Sequence, residues 1–245
     1  MQFSPHRFSP DASRNRYSRG FVMVSALIFL MILSILAVMA VRGSIFEERF
    51  AASDRDNALA RENAELALRD AERDVLGLRF DGQYCAAVAC TNLRPAGARP
   101  VNAADAGNFW SGQNPNVEDV ALDNGGVGLG IALQGVYTSL SATQCGTPIW
   151  SGADWQDGVA RTCVGTITTS VPSIPYGTFT DAPFLQAGIN APRYLIELFR
   201  AGELSVNNGN SNKLLFRITA VGFGRTVGTS GARTSVTLQS TFSAL

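Results

Sequence analysis

GFVMVSALIFLMILSILAVMAV, Gly20 to Val41, is the stretch on which the reading of this chain depends. From Phe21 onward it holds no charged side chain. Twenty-one residues at about 1.5 Å rise make roughly 31 Å of helix, which matches a hydrocarbon core of about 30 Å. Its two polar side chains, Ser25 and Ser34, can bond back to a carbonyl one turn earlier and need no outside partner. On the N-terminal flank stand Arg7, Arg14, Arg16 and Arg19 against Asp11 alone. The positive-inside rule therefore places residues 1–20 in the cytoplasm and the bulk of the chain on the other side of the membrane. A cleaved secretory signal would need an apolar core of about 7 to 15 residues before a small-residue site. Val38-Met39-Ala40 offers such a site, but the core is too long for it. An ordinary uncleaved anchor is the other plain reading.

A basic leader that ends in Gly, followed by Phe and an apolar stretch, resembles the N-terminus of the type IV prepilins. That resemblance implies cleavage between Gly20 and Phe21 by a prepilin peptidase, with N-methylation of Phe21. The physical sense of the cut is that it removes the basic anchor and frees an apolar helix to leave the bilayer sideways into a helical filament. Downstream, Phe46-Glu47-Glu48-Arg49-Phe50-Ala51, Asp54-Arg55-Asp56 and Ala64-Glu65-Leu66-Ala67-Leu68-Arg69-Asp70-Ala71-Glu72 resemble the N-terminal region of the PilX family of minor pilins. The likeness covers residues 19–75. Shorter strings, Arg193 to Glu197, Phe216 to Ala220 and Leu238 to Phe242, are similar to that family's C-terminal strands. The implied fold is α+β and type IV pilin-like, with a long N-terminal helix packed on a C-terminal antiparallel sheet.

One position departs from the usual pilin pattern. Most pilins carry glutamate as the fifth mature residue, and here that position is Ser25. A carboxylate at membrane depth costs about 2.5–3.5 kcal/mol on insertion scales. Resemblance to the family implies that this energy is recovered by pairing with the N-terminal amine of a neighbouring subunit. A subunit without the glutamate does not require that neighbour, so a place at or next to the filament tip is expected.

Composition bounds the rest. Twenty basic and twenty acidic residues give zero net charge, which does not suggest a nucleic-acid partner. Removal of residues 1–20 takes four arginines, one aspartate and His6, the sole histidine, leaving 16 basic and 19 acidic residues and a net charge of −3. The expected organisation is a leader (1–20), a transmembrane and assembly helix (21–41), its extramembrane continuation (42–77) and one globular extracytoplasmic domain (78–245). The continuation has no Pro, is rich in Ala, Glu, Arg and Leu, and pairs Arg61 with Glu65 and Glu65 with Arg69. These charges read as a solvated face. Gly77 is placed to end the helix, a rod of roughly 84 Å counted from Phe21. Its outer half is expected to pack on the sheet through residues such as Leu59, Leu66 and Val75, because propensity alone does not fix so long an element.

Arg233 to Phe242 alternates with a period of two, placing Thr234, Val236, Leu238, Ser240 and Phe242 on one face. Arg193–Arg200 and Lys213–Phe223 read as two further strands of an antiparallel meander, with another possible over Val159–Val171. Residues 95–130 and 200–212, rich in Gly, Asn and Ala, read as loops. No fold is assigned to residues 78–135.

Cys85, Cys90, Cys145 and Cys163 lie outside the membrane, where oxidation is the default. Four cysteines allow three pairings. The local choice, Cys85 with Cys90 and Cys145 with Cys163, is preferred because close partners meet sooner. A zinc site is disfavoured by the spacings and by the lack of a histidine partner. With His6 in the leader, the common hydrolase arrangements lose their imidazole after cleavage. No catalytic, cofactor or metal residues are assigned. Asp119 and Asp123 ahead of Asn124-Gly125-Gly126 do not follow EF-hand spacing and read as Asx turns. Gly125 to Gly130 lacks the lysine and helix of a phosphate loop. Trp110, Trp150 and Trp155 read as core plugs before a binding patch.

The resulting expectation is a non-enzymatic minor pilin that helps to initiate and cap a type IV pilus. Its partners would be other minor pilins, the major pilin, the prepilin peptidase, the inner-membrane assembly platform and, before assembly, the membrane itself. A pseudopilin of a type II secretion system and a plain membrane-anchored binding protein are the alternatives.

Overall fold

Between Ser18 and Leu76 the chain has no proline and two glycines, and it forms one helix of 59 residues, α1. The fold is taken from a computed structural model describing residues 18–87, 90, 94, 99–110, 135–166, 168, 170–200 and 214–243. Residues 1–17, with His6 and three of the leader arginines, lie outside the described residues. So do Asp119, Asp123, the Gly125–Gly130 stretch and the expected loop over 201–212. The chain divides into two units, Met1–Ser53 and Asp54–Leu245. In the first, every residue from Gly20 to Ser53 is exposed.

The second unit is a sheet with a covering on each face. Its remaining elements are α2 (Ala103–Phe109), β1 (Val136–Thr138), α3 (Ser139–Cys145), α4 (Ile149–Gly152), β2 (Ala153–Asp154), β3 (Val171–Pro172), β4 (Ile174–Pro175), β5 (Arg193–Arg200), β6 (Leu214–Val227) and β7 (Arg233–Phe242). β5, β6 and β7 form the antiparallel meander, in register Tyr194↔Ala220, Ile196↔Ile218 and Ala220↔Leu238. Sequence reading did not anticipate β1, which adds a parallel edge, Val136↔Ile196, or β4, which pairs antiparallel with the start of β5. Half-buried Thr234, Val236, Leu238 and Ser240 alternate with exposed Ser235, Thr237, Gln239 and Thr241 along β7, as the two-residue period requires.

One sheet face carries Tyr194, Ile196, Leu198, Phe216, Ile218 and Ala220, packed with Ala67, Ala71 and Val75 of α1 and with Trp110. The helix face is lined by Ala60, Ala64, Ala67, Ala71 and Val75, all fully buried, so the two backbones approach closely. A Cβ built on Gly222 would lie 2.1 Å from the Ala60 carbonyl oxygen and 2.2 Å from the Ala64 nitrogen; only hydrogen fits there. Of the expected packing residues, Val75 is buried and Leu59 is partly buried against the cluster that holds Val221 and Phe223 of β6, whereas Leu66 is exposed, which corrects that part of the expectation. The reason is distance: a leucine on the contact face would push the helix off a sheet that it meets through alanine and glycine.

On the other face, Leu195, Val221, Phe223 and Tyr137 pack with Cys145, Ile149, Trp155 and Cys163. The further strand expected over Val159–Val171 does not form among its described residues, apart from Val171 at the head of β3. Local partners take its backbone donors: Val159 N–H bonds the Asp157 carboxylate, and Val164 and Gly165 N–H bond the Cys145 carbonyl at 2.9 and 2.7 Å. Gly77 ends α1 in the left-handed conformation (φ 72°), with the Leu78 N–H on the Arg73 carbonyl at 2.9 Å.

Candidate functional site

The apolar segment of α1 is the surface that sets this chain apart from a self-contained domain. Phe21, Met23, Phe29, Leu30 and Leu33 project from different sides of the helix and all are at least half exposed. A helix that is apolar all round belongs in a bilayer or in the core of a larger assembly, since one stripe would suffice to pack on a single sheet. By length and composition it can cross a membrane. Ser25 Oγ donates to the Val22 carbonyl at 3.0 Å and Ser34 Oγ to the Leu30 carbonyl at 2.8 Å. Both hydroxyls are thus satisfied within the helix, and the segment presents no polar group that calls for a partner in hydrocarbon.

In the globular unit the notable chemistry is a buried ionic cluster at the end of α1. Asp56, Asn63 and Asp70 recur every seven residues and, with Asp74, lie on the alanine-lined face. The Asp74 carboxylate accepts from Arg94 Nη2 at 2.5 Å and from the Tyr194 hydroxyl at 3.0 Å, with Arg99 Nη1 at 3.5 Å. Arg94 also donates to the carbonyls of Phe179 (2.6 Å), Asp74 (3.0 Å) and Pro100. The Arg99 guanidinium lies 4.3 Å from the Phe179 ring centre. Asp70 accepts from Gly177 N–H at 2.7 Å and from the Thr180 hydroxyl. Burial nevertheless pushes its carboxyl up to about 6. Burial likewise pushes the Tyr194 phenol well up, and the Asp74 carboxylate adds to this.

This cluster fastens Arg94, Arg99 and the Gly177–Thr180 segment to the last turns of the helix. It leaves none of these carboxylates open to a substrate. Among the described residues no group of three or more His, Cys, Asp or Glu side chains gathers to hold a metal. Sequence reading took Arg61, Glu65 and Arg69 as a solvated face. All three are exposed, with Arg61 and Glu65 paired at 3.3 Å; the burial of Asp56, Asp70 and Asp74 was not foreseen. The available signal was the seven-residue recurrence in step with the alanines. Arg94 and Arg99 gave none, because they stand outside any regular element.

Trp110 is buried, stacks edge-on to Phe216 and donates to the Val75 carbonyl at 2.8 Å near the helix end. Trp155 is buried and donates to the carbonyl of the partly exposed Trp150. Two of the three tryptophans are therefore core plugs. Cys145 and Cys163 are joined in a disulfide that ties α3 to the 160s loop. Cys85 and Cys90, the other expected local pair, are both buried, with their thiols hydrogen-bonded to each other.

Residues 101–244 match the family model described as type IV pilus assembly protein PilX C-term, and residues 19–69 match the one described as PilX N-terminal. No curated protein and no solved structure matches the chain.

Proposed function

We propose, from the premise that the chain belongs to the PilX family of type IV pilus minor pilins, that it acts at the tip, where it helps to start and to cap the pilus. As a pilus component it is structural. In this reading the chain enters the inner membrane with residues 1–20 in the cytoplasm. The prepilin peptidase cuts between Gly20 and Phe21, and Phe21 is N-methylated. The assembly platform then moves residues 21–41 out of the bilayer into a filament core shared with the other minor pilins and the major pilin, while residues 42–77 carry the globular domain outward.

Ser25 is the observation that carries the tip placement. A glutamate there would have to recover about 2.5–3.5 kcal/mol from a neighbour, whereas the Ser25 hydroxyl is already bonded to Val22 within its own helix. The first subunit of a filament has no subunit above it, and this helix asks for none.

Deletion of the gene tests the reading. Surface pili should fall to a small fraction of wild type while the major pilin accumulates in the membrane, and the intact chain should restore them. Normal piliation in the deletion strain would refute the initiating role. A Ser25→Glu chain should leave the tip and spread along the shaft; a distribution identical to wild type would remove the argument from Ser25.

A further inference from the structure

Cys85 and Cys90 stand apart from the fastening already described, yet they adjoin it. Both residues are 1% exposed, and their thiols hydrogen-bond to each other. Cys145 and Cys163 are joined to each other, which leaves this pair no alternative partner in the chain. The backbone around the pair is anchored at both ends. Cys85 N–H bonds the Gly77 carbonyl and Ala86 N–H the Val101 carbonyl, each at 3.0 Å, and Arg94 N–H bonds the Cys90 carbonyl at 2.8 Å. That last bond ties the cysteine's carbonyl to the arginine that meets Asp74.

We propose that Cys85 and Cys90 are an oxidation site, joined into a second disulfide before the globular domain closes over them, and that the bond holds the backbone that delivers Arg94 to Asp74. The step converts two thiols to one disulfide with loss of two protons and two electrons. The electrons pass by thiol–disulfide exchange to the disulfide of an extracytoplasmic dithiol oxidase, which leaves as a dithiol. Closure has to follow the bond because exchange needs a thiolate. Once the pair is buried, desolvation pushes Cys85 up and Cys90 to about 12, and an oxidase has no route to a side chain 1% exposed. The proposal rests on the orientation given above, which puts the domain in an oxidising compartment.

The experiment is disulfide mapping of the full chain from its native host, alkylated in denaturant without reduction. Cys145–Cys163 serves as the reporter of compartment. Linked Cys85–Cys90 beside linked Cys145–Cys163 is the expected result. Alkylated Cys85 and Cys90 beside linked Cys145–Cys163 would overturn the proposal alone, and alkylation of all four would overturn it together with the orientation. Order is read by adding oxidised glutathione to reduced full chain in detergent micelles. Bond formation should be about a hundredfold slower in the folded protein than in urea, and equal rates would refute closure after oxidation. The holding role is read by hydrogen exchange. Amides of Ala86 and Arg94 should exchange roughly tenfold faster in a Cys85→Ser, Cys90→Ser chain than in the oxidised one, and unchanged exchange would refute that role.

Discussion

Replacing Gly222 with alanine should unseat the helix from the sheet. The added methyl would meet the Ala60 carbonyl oxygen at 2.1 Å and the Ala64 nitrogen at 2.2 Å. Both are helix backbone atoms that cannot rotate away as a side chain would. Bringing those contacts to an ordinary separation moves one backbone by about 1 Å along a face whose close approach is set by alanine. Overpacking of this kind costs about 1–3 kcal/mol, and the rigid neighbours favour the upper end. For a unit of this size that is a fall in Tm of roughly 4–10 °C. Gly228→Ala is the control: its methyl would meet the Ala232 carbonyl oxygen at 3.3 Å, which asks for a shift of only a few tenths of an ångström, and it should cost less than about 1 kcal/mol. The assay is thermal unfolding of the full chain in detergent micelles, followed by fluorescence of the tryptophans, of which Trp110 reports on this core. Gly222→Ala unfolding at the same temperature as Gly228→Ala would refute the close helix–sheet approach.

Asp74→Ala should cost about 3–5 kcal/mol in urea unfolding, because it leaves the fully buried Arg94 and Arg99 guanidiniums without their carboxylate. A loss under 1 kcal/mol would mean that the cluster is wet or loosely formed. Asp70 sets a pH dependence of known sign. Its folded carboxyl titrates near 6 against an ordinary value of 3.8 for an aspartate in water, so the folded state holds the extra proton between those values. The contribution of Asp70 to stability is therefore full below pH 4 and is lost as pH rises through 6. Relative to Asp70→Asn, wild type should lose on the order of 3 kcal/mol between pH 4 and pH 7. A difference that grows in the opposite direction would contradict the burial of this group.

What the sequence disclosed follows from periodicity. The run from Phe21 to Val41 needs no context to be recognised, and Arg233–Phe242 names its own strand by alternation, with limits equal to those of β7. Arg193–Arg200 is likewise bounded by residues that punctuate strands, and it coincides with β5. β1 spans only three residues and is held by pairing with a strand sixty positions away, so no local pattern could announce it. The helix–sheet contact was misread for a different reason. Hydrophobic periodicity looks for leucine, whereas here closeness is what matters, and alanine facing glycine achieves it. Asp56, Asp70 and Asp74 look solvated in sequence because their partners, Thr226, Thr180, Arg94 and Tyr194, are distant in the chain. In the same way, the choice among three cysteine pairings rests on which loops meet, and the structure joins Cys145 to Cys163.

The account stands or falls on the N-terminus of the protein in its native host. Intact-mass measurement of the membrane and sheared-surface fractions should give a chain beginning at N-methylated Phe21 in both. A chain that still begins at Met1, or one that begins at Val41, would contradict processing as a pilin and with it the assembly role of residues 21–41.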